Sequence, residues 1–419
     1  MLVLLGWILV FGSYLVMGQN YQNVSLKASI NQVNPMIGLV FWNDNVFDPS
    51  SAYALEYFYL PVNKLVVGRV NGVLQYNWAY IDNQLNDIAS RGHQAIFRLR
   101  YEYYYDEPTG VPAFLKNISG YKGQVYKGIE FMDWRSSDLM QMHLDMYTAL
   151  ANRYDNDNRI FAIQTGFGFW SEYHLSDGPP LQLGYNFPSA NFQVQSINHI
   201  LSAFKTMPIQ YSIDIADNEN NWCPLFKNIS VLPFGSFDDS SFSNDYKAWN
   251  DGNKGRLGWK TTRFQQNPLG GEIAYVDKVQ QHALDINGPE GQSLPDYVKE
   301  YKYTFLIASD QNTYKYDGPL TQVERIKQVG MTFGYKFTIT SFQTNGTHTK
   351  VTVQNTGVAP PYKNMFLQVS SVKDTTTLKY LQPSASLTVV VKVATTTPTL
   401  QIVSPYITSK QKIQFEANL

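Results

Sequence analysis

One carboxylate in this chain follows a strand-like stretch and stands among aromatic side chains. Residues 160–174 read I-F-A-I-Q-T-G-F-G-F-W-S-E-Y-H, an apolar run that passes two glycines before it reaches Glu172. Trp170, Tyr173 and His174 could stack on a sugar ring or hydrogen-bond to its hydroxyl groups. A buried strand that ends in glycines and then presents an acid is typical of the C-terminal mouth of a (β/α)8 barrel. The alternative is a strand, a turn and a surface glutamate.

A second candidate acid ends the Gly-Gly-Glu sequence at Glu272. Glycoside hydrolysis needs two carboxyl groups across the scissile bond. On the strand count given below, Glu172 follows the fourth strand and Glu272 lies at the seventh, which many retaining barrel glycosidases use for the acid/base and the nucleophile. We predict that Glu172 is the general acid/base, with its pKa raised by the aromatic shell. Glu272 is then the nucleophile, kept ionised by Arg98 or Arg100, unless it forms a purely structural ion pair with an arginine inside the barrel.

Further polar and aromatic side chains at predicted strand ends are candidates for substrate contact. Asp238 and Asp239 are reserve carboxylates, for which a turn or capping role is the alternative. The predicted contacts are Trp42, Arg98, Arg100, Tyr101, Trp170, Tyr173, His174, Asp238 and Asp239.

The motifs favour neither a cofactor nor a metal ion. The G-F-G-F run at 166–169 lacks the third glycine of a dinucleotide-binding loop. There is no H-E-x-x-H sequence, and the six histidines are scattered. The D-N-D-N run at 155–158 lacks the central glycine and the final glutamate of a calcium loop, so a turn is the better interpretation.

Composition limits the classes of partner. The chain has 419 residues and is 44% hydrophobic, enough for a sizeable core. Charged residues make up 16%, below the roughly 25% usual in globular proteins, so the polar surface must consist of Asn, Gln, Ser, Thr and Tyr. A formal net charge of −1 without basic runs argues against nucleic acid as a partner. The 29 tyrosines and 8 tryptophans suit both a core and a carbohydrate cleft.

The chain begins with an apolar segment that predicts secretion. Residues 1–18 read as a signal peptide cleaved near Gly18 and Gln19, although the absence of Lys and Arg from its start leaves an uncleaved anchor as the alternative. No later segment is apolar for the roughly 20 residues that a membrane span needs. Cys223 is the single cysteine and is expected to be a small buried side chain. Candidate glycosylation sites are Asn23, Asn117, Asn228 and Asn345.

Alternating strand and helix patterns over 19–333 predict a (β/α)8 barrel of the TIM type. Amphipathic helices are predicted at 82–91, 137–154 and 191–205. The eight predicted strands are 36–42, 64–70, 95–100, one starting at Ile160, 208–213, 229–234, 270–275 and 303–308.

After Gly334 the hydrophobic pattern changes to a period of two, which predicts an all-β sandwich domain at 334–395. The residues that remain, 396–419, are predicted to be a tail that adds one or two edge strands. Tyr335 and Phe337 are expected near the seam with the barrel. The predicted sandwich strands are 336–342, 350–353, 365–369 and 387–393.

Several short sequences, in this order, resemble a family of secreted, mostly bacterial proteins of unknown function that is grouped with glycoside hydrolases. The resemblance covers nearly the whole mature chain and implies a TIM-type barrel followed by a C-terminal β-sandwich. It differs at Ser171 and Tyr173, where the family has Gly and Trp, and at 37–40. The matching sequences are N-P-x-x-G at 34–38, R-L-R-Y at 98–101, the segment 163–174, G-G-E at 270–272, F-G-Y-K-F at 333–337 and N-T-G-V-A-P-P-Y at 355–362.

Three functions fit these features. The first is an extracellular glycoside hydrolase that acts on a poly- or oligosaccharide with two carboxylates. The second is a non-catalytic carbohydrate-binding or adhesive ectodomain on a decayed barrel. The third is a structural surface or matrix protein. An enzyme requires Glu172 and a second carboxylate to face one another in an open cleft, whereas a binding protein needs only aromatic and amide side chains.

Overall fold

The computed structural model describes residues 20–45, 47, 50–102, 109–218, 223 and 226–419. The predicted signal peptide at 1–18 lies outside the described residues. Within them, eight parallel strands close into a barrel, which confirms the predicted fold class. In chain order the barrel strands are Gly38–Trp42, Leu55–Pro61, Gln94–Arg100, Ile160–Gln164, Ile209–Ser212, Gly235–Ser241, Leu269–Ile273 and Phe305–Ile307.

Two of the eight strand predictions were wrong. The predicted second strand at 64–70 is a helical turn, Val62–Leu65, followed by Val66–Val70, which forms a hairpin with Val73–Tyr76 outside the barrel. The valines of this segment are typical of a buried strand, but Val67 and Val70 are exposed. The predicted sixth strand at 229–234 includes part of the 3-10 helix Phe226–Val231 and packs outside the barrel, whereas the polar sequence Gly235–Ser241 forms the strand. The strand numbers of the other six are unchanged.

Helices connect most of the strands. Ser137–Tyr154 has the predicted bounds, and the Ser136 hydroxyl caps it by accepting from the amide of Leu139. No helix within the described residues is long and apolar enough to cross a membrane. The α-helices are Val62–Leu65, Trp78–Ser90, Ala113–Lys116, Ser137–Tyr154, Ala190–Ala203, Lys247–Arg256, Phe264–Gln266, Asp277–His282, Leu294–Tyr301 and Gln322–Gly330, with a π-helical turn at Trp259–Arg263. The 3-10 helices are Ser50–Ala52, Phe169–Ser171, Ile213–Ala216 and Phe226–Val231.

The centre of the barrel contains a layer of hydrogen-bonded polar side chains. Arg98 donates from Nε to the side-chain oxygen of Gln164 at 2.9 Å, and the hydroxyl of Tyr57 donates to the same oxygen at 3.3 Å. The Gln164 amide donates to Gln210 at 3.2 Å. All four side chains are buried. Because unpaired polar groups are costly in a barrel core, this network fixes the orientation of the Arg98 guanidinium group.

Two antiparallel-rich sheets follow the barrel, and their alternating apolar residues are buried as a sandwich requires. The larger sheet contains, in spatial order, Ser386–Lys392, His348–Asn355, Phe337–Thr344, Phe415–Asn418 and Lys27–Ala28, with Gln22–Asn23 also pairing with Phe337–Thr344. The smaller sheet contains Val372–Thr377, Phe366–Val369 and Leu400–Val403.

Both ends of the described chain contribute to these sheets. Gln22–Asn23 and Lys27–Ala28, which the sequence analysis included in the barrel domain, pair with sandwich strands instead. In the predicted tail, Leu400–Val403 is an edge strand, whereas Phe415–Asn418 lies inside the larger sheet. At the seam, the buried Tyr335 donates to the carbonyl of Pro35 at 3.0 Å.

Gly270 in the seventh strand has no space for a side chain, and this gives the first prediction. A Cβ atom at Gly270 would lie 2.1 Å from the Phe305 ring inside the barrel. We expect Gly270→Ala to lower the free energy of unfolding by about 1–3 kcal/mol through overpacking, measured by denaturant titration. The control is Gly255→Ala in Lys247–Arg256, where the added methyl group meets nothing within 4 Å, and which should stabilise the helix by up to about 1 kcal/mol. Equal stability of Gly270→Ala and the parent would contradict the barrel packing.

Candidate active site

Glu172 and Glu272 approach the same guanidinium group at the C-terminal mouth of the barrel. Arg98 donates from Nη1 to Oε1 of Glu172 at 3.0 Å and from Nη2 to Oε1 of Glu272 at 2.7 Å. Both glutamates are buried, with 2% and 4% of their surface exposed. The two acids, one after strand four and one within strand seven, are therefore joined by one cation, within the about 10 Å over which glycosidase carboxyl pairs act.

A tight turn after the fourth strand positions Glu172. Trp170 and Ser171 have positive φ angles of 54° and 59°, and the amide of Gly168 donates to the Glu172 carbonyl at 2.8 Å. A Cβ atom at Gly166 would lie 2.1 Å from the Ser171 carbonyl oxygen, so the turn requires glycine there. The Ser171 hydroxyl donates to the carbonyl of Leu99, which ties the turn to the third strand. The turn therefore holds Glu172 above Arg98.

The two glutamates line a cavity of about 1200 Å³ at this end of the barrel. Trp42 and Tyr59 belong to the first and second strands, and Trp170 lies in the turn after the fourth. The other lining residues are Asp44, Asn45, His174, Ser176, Asp177, Asp214, Asp217, Asp239, Ser240, Tyr246, Trp249, Tyr275, Val276, Ser309 and Asp310. Aromatic rings and carboxyl groups thus dominate the surface of the cavity.

The surroundings of the two glutamates differ. Glu272 accepts hydrogen bonds from Arg98 and Tyr275, which favour its ionised form. Glu172 also contacts Arg98, but it lies close to Asp239 and receives a hydrogen bond from His174. Burial raises the pKa of Glu172, and the charge of Asp239 raises it further. Burial also raises the pKa of Glu272, although Arg98 opposes the shift, so the prediction that an arginine keeps Glu272 ionised describes only the smaller effect.

Two further carboxyl groups lie beside Glu172. Burial is the largest cause that raises the pKa of Asp214 to about 7, and the charge of Glu172 adds to it. Burial also raises the pKa of Asp239 to about 7, with contributions from Asp214 and Asp238. The cavity therefore contains two acids, Asp214 and Asp239, whose protonation changes near neutral pH.

His174 connects Glu172 to Asp214. Its Nε2 atom lies 2.9 Å from Oε2 of Glu172 and 3.5 Å from Oδ2 of Asp214. Burial lowers the pKa of this histidine, but the hydrogen bond to Glu172 and the nearby carboxylates outweigh it and raise the pKa to about 9. The amide of Ser176 donates to Nδ1 at 3.0 Å, so that nitrogen must be unprotonated in this arrangement. In this arrangement the ring holds its proton on Nε2, and the doubly protonated form that the raised pKa favours requires the Ser176 hydrogen bond to break.

Among the described residues, Glu172, His174 and Asp214 form a group whose ligand atoms lie close enough together to hold a metal ion. One ligand atom from each lies within 4.8 Å of the others. A neutral histidine that binds a metal through Nε2 normally carries its proton on Nδ1 and donates it to an acceptor. Here Nδ1 accepts from the Ser176 amide instead, so the orientation of His174 suits a proton on Nε2 better than a metal ion there.

Several predicted substrate contacts are not in the cavity, and these predictions are corrected. Tyr101 is buried beside the helix Ser137–Tyr154, where its hydroxyl is 2.9 Å from Nδ1 of His143. Tyr173 is fully buried and donates to Gln193 at 3.1 Å. It faces away from the cavity because Glu172 on one side of it and His174 on the other face inward, as alternation along an extended segment requires.

Alternation also separates the two reserve aspartates. Asp239 lines the cavity, whereas Asp238 is fully buried and pairs with Nζ of Lys254 at 2.5 Å. Asp238 is therefore a structural partner of the helix Lys247–Arg256 rather than a substrate contact. Arg98 lies beneath the two glutamates and does not line the cavity, and Arg100 is buried, with its guanidinium carbon 5.5 Å from the centre of the Tyr59 ring.

The sequence analysis missed several cavity residues. Asp214 follows the fifth strand, and Tyr275 follows the seventh, so their positions after barrel strands could have identified both. Tyr59 belongs to the second strand, whose bounds were predicted wrongly. Trp249 and Tyr246 reach the cavity from the segment that starts the helix Lys247–Arg256, and no pattern in the sequence indicates this.

Comparisons with known proteins give a limited result. No protein-family model matches the chain, and no curated protein matches its sequence. Among solved structures, a GH10 xylanase with a bacterial Ig-like domain from termite gut is 11% identical over 73% of this chain and 76% of its own, with a TM-score of 0.38. A GH39 enzyme from Xanthomonas axonopodis pv. citri is 11% identical over 92% and 94%, with a TM-score of 0.39. A β-mannanase from the blue mussel Mytilus edulis is 10% identical over 74% and 97%, with a TM-score of 0.36. These values assign no family and no activity to this chain.

The shared cation gives the second prediction. Arg98→Met removes the positive charge and leaves Glu172 and Glu272 buried, so the pKa of both should rise further. Acids with raised pKa values bind more protons in the folded than in the unfolded state, so the free energy of unfolding falls as pH rises. We expect the variant to lose stability more steeply than the parent between about pH 5 and 8 in denaturant titrations.

The matched control for this prediction is Arg69→Met, which breaks the more exposed pair with Asp138. It should cost about 0–1 kcal/mol and leave the pH dependence unchanged. If Arg98→Met and the parent have parallel stability curves against pH, Arg98 does not control the protonation of the two glutamates.

Proposed function

We propose that this protein is a glycoside hydrolase that acts on a poly- or oligosaccharide, with Glu172 as general acid/base and Glu272 as nucleophile. The observation that carries the proposal is the pair of buried glutamates, one after strand four and one in strand seven, which share Arg98 and line one cavity. Two carboxyl groups in different surroundings are what this chemistry needs.

The different surroundings support the two roles. Glu172 lies near Asp239 and Asp214, which favour its protonated form, so it can donate a proton to the glycosidic oxygen. Glu272 accepts from both Arg98 and Tyr275, so it is the better candidate for the ionised nucleophile. Attack of Glu272 on the anomeric carbon breaks the glycosidic bond, and Glu172 protonates the leaving oxygen. Water then attacks the covalent intermediate, gives its proton to Glu172 and releases Glu272 as a carboxylate.

Arg98 stabilises the negative charge of the catalytic glutamates throughout this reaction. In the first step Glu272 loses its negative charge to the new ester bond, while Glu172 gains one by giving up its proton. Both carboxyl groups contact the same guanidinium group, at 2.7 and 3.0 Å. The negative charge therefore moves from one side of Arg98 to the other and remains paired throughout. Little reorganisation of the site is needed, which is the condition for effective electrostatic stabilisation.

The walls of the cavity suit a carbohydrate. A volume of about 1200 Å³ accommodates more than a small ligand. Trp42 and Trp170 present ring faces or edges on which a sugar could stack, and the Nε1 of Trp42 is held by the hydroxyl of Ser309 at 3.3 Å. Ordered aromatic rings of this kind bind sugars at low entropic cost.

A non-catalytic carbohydrate-binding or adhesive protein is the second candidate. The observation that favours it is the same ion pair: an arginine enclosed in a barrel needs carboxylates for stability alone. In that case, Glu172 and Glu272 would hold the barrel mouth in shape, and the aromatic rings would bind glycans without cleavage. Hydrolysis by the parent protein distinguishes the two candidates.

The third prediction tests the two glutamates. The parent should hydrolyse at least one member of a broad glycan panel, measured by the release of reducing ends. Glu172→Gln keeps the shape but not the proton, so turnover of substrates with poor leaving groups should fall by about 10²–10⁴-fold while binding persists. Glu272→Gln should be at least as severe, because it removes the nucleophile. Trp170→Ala should mainly weaken binding.

The control is Glu300→Gln, which alters an exposed glutamate paired with Lys260 and should retain the parent's rate. Wild-type rates in both active-site variants would make this pair wrong, and Asp239 would be the next candidate. Binding of glycans without cleavage of any panel member would support the second candidate function instead.

We also propose that the protein is secreted, on the basis of its apolar first 18 residues. The fourth prediction is that mature protein collects in the culture medium and begins near Gln19, as determined by N-terminal sequencing. Asn23, Asn117 and Asn228 are exposed and Asn345 is half-buried, so enzymatic deglycosylation should lower the mass of the secreted protein in a eukaryotic host. Cell-retained protein that starts at Met1 would contradict the secretion proposal.

A further inference from the structure

We propose that the natural substrate is a cationic glycan, built at least in part from sugars that carry a free, protonated amino group. This inference rests on the proposed function for the cleavage step, but not for binding. It follows from the charge of the cavity wall, from one buried carboxylate oxygen that lacks a hydrogen bond, and from the positions of these groups relative to the two glutamates.

The cavity is strongly acidic. Among its described lining residues, the only side chain that can become cationic is His174. The carboxyl groups that line it belong to Asp44, Glu172, Asp177, Asp214, Asp217, Asp239, Glu272 and Asp310. Arg98 lies beneath Glu172 and Glu272 and supplies one positive charge for the two of them. A chain whose overall formal charge is −1 has therefore concentrated acids at this mouth.

Four of these acids form no ion pair with a lysine or arginine among the described residues. Within the described part of the chain, no lysine or arginine forms an ion pair with Asp44, Asp214, Asp239 or Asp310. Asp238, next to Asp239 in sequence, contrasts with them because Lys254 neutralises it at 2.5 Å. Among the described residues, a buried lysine thus pairs with the acid behind the sixth strand, and no lysine or arginine pairs with Asp239 in front of it.

Asp214 gives an independent indication of a ligand. Only 4% of its surface is exposed, it lines the cavity, and its Oδ2 atom has no hydrogen-bond partner. The nearest cation-forming atom is Nε2 of His174 at 3.5 Å, and that atom is closer to Glu172. A buried carboxylate oxygen without a donor is costly, and a ligand ammonium group would supply the missing donor.

The barrel order places these acids opposite aromatic rings. Strands five and six, which end near Asp214 and Asp239, lie between strand four of Glu172 and strand seven of Glu272. Trp42 and Tyr59 belong to strands one and two, on the other side of the mouth. A sugar ring between the two glutamates would therefore have Asp214 and Asp239 as the wall on one side and the rings of Trp42 and Tyr59 as the wall on the other. An amino substituent suits the first wall and the apolar ring face suits the second.

Electrostatics in this wall favours a cation and opposes an anion. Burial and mutual repulsion raise the pKa of Asp214 and of Asp239 to about 7. A bound ammonium group would lower both pKa values and form charge-assisted hydrogen bonds. A uronic acid or a sulfated sugar would add another negative charge to the cavity and be repelled.

The test measures binding by calorimetry to the full chain carrying Glu172→Gln, so that turnover does not interfere. The probes are three β-1,4-linked hexamers of equal length, made of glucosamine, N-acetylglucosamine and glucose. At about pH 6 an amine with a pKa near 7 to 8 is protonated. We expect the glucosamine hexamer to bind at least about tenfold more tightly than either neutral hexamer, and its affinity to fall when ionic strength rises from about 0.01 to 0.15 M.

Two further variants, Asp214→Asn and Asp239→Asn, are each combined with Glu172→Gln to test whether these aspartates bind the amino groups. Each should weaken binding of the glucosamine hexamer by about tenfold and leave any binding of the neutral hexamers unchanged. The matched control is Asp374→Asn on the C-terminal sheet, in the strand Val372–Thr377, which should change neither.

The outcomes separate this inference from the proposed function. Equal or tighter binding of the neutral hexamers, no binding of any hexamer, or unchanged affinity in both aspartate variants would overturn the inference. So would Asp214-dependent binding of Ca²⁺, Mn²⁺ or Zn²⁺ alone without binding of the glucosamine hexamer. If the parent cleaves neutral glycans only, the hydrolase proposal stands and this inference fails. If it binds the glucosamine hexamer as expected and cleaves no glycan, the inference stands and the hydrolase proposal fails.

Discussion

The enclosure of one cation, Arg98, determines the rest of this barrel mouth. A buried guanidinium group loses several kcal/mol of hydration unless carboxylates and hydrogen-bond acceptors replace the water. Here Glu172, Glu272 and Gln164 provide them, and the Phe237 ring lies 4.1 Å from the guanidinium carbon. Because the two glutamates come from strands four and seven, the pairing holds distant parts of the chain at a fixed separation. The same contacts give the pair its chemical capacity.

The local structures of strands four and seven allow Glu172 and Glu272 to reach Arg98. After the fourth strand, Gly166 and two residues with positive φ turn the chain sharply enough to bring Glu172 back over the cation. In the seventh strand, Gly270 makes room for Phe305 inside the barrel. Strands five and six lie between these two, and among the described residues no lysine or arginine pairs with Asp214 or Asp239 near their ends. The mouth is therefore nearly balanced in charge at the paired glutamates and negative along the wall beside them.

The sequence predicted the barrel and the two glutamates because their signals are local. The fourth strand is apolar and is followed by two glycines, Gly166 and Gly168, before Glu172. In the seventh strand, two glycines come directly before Glu272. The second strand, L-E-Y-F-Y-L-P, was missed because it contains a charged residue, Glu56, that is fully buried. Glu56 can be buried only because Arg91 and His93 pair with it, and the sequence pattern does not show these contacts. The sixth strand was missed because most of its residues are polar, including Asp238, which faces the helix Lys247–Arg256. Tyr173 and Asp238 were misplaced through neglect of alternation, whereas the partner of Asp238, Lys254, could not be identified before the helix was placed.

The separation of the two glutamate titrations tests this account most directly, since it requires no substrate. Carbon-13 labelling of glutamate carboxyl groups, with signals assigned from Glu172→Gln and Glu272→Gln, follows both acids by NMR across pH. The account predicts that both acids titrate above the ordinary glutamate value in two separate steps, of which the later belongs mainly to Glu172. It also predicts that removal of either acid lowers the pKa of the other. Two independent titrations near the ordinary glutamate value of about 4.3 would contradict it.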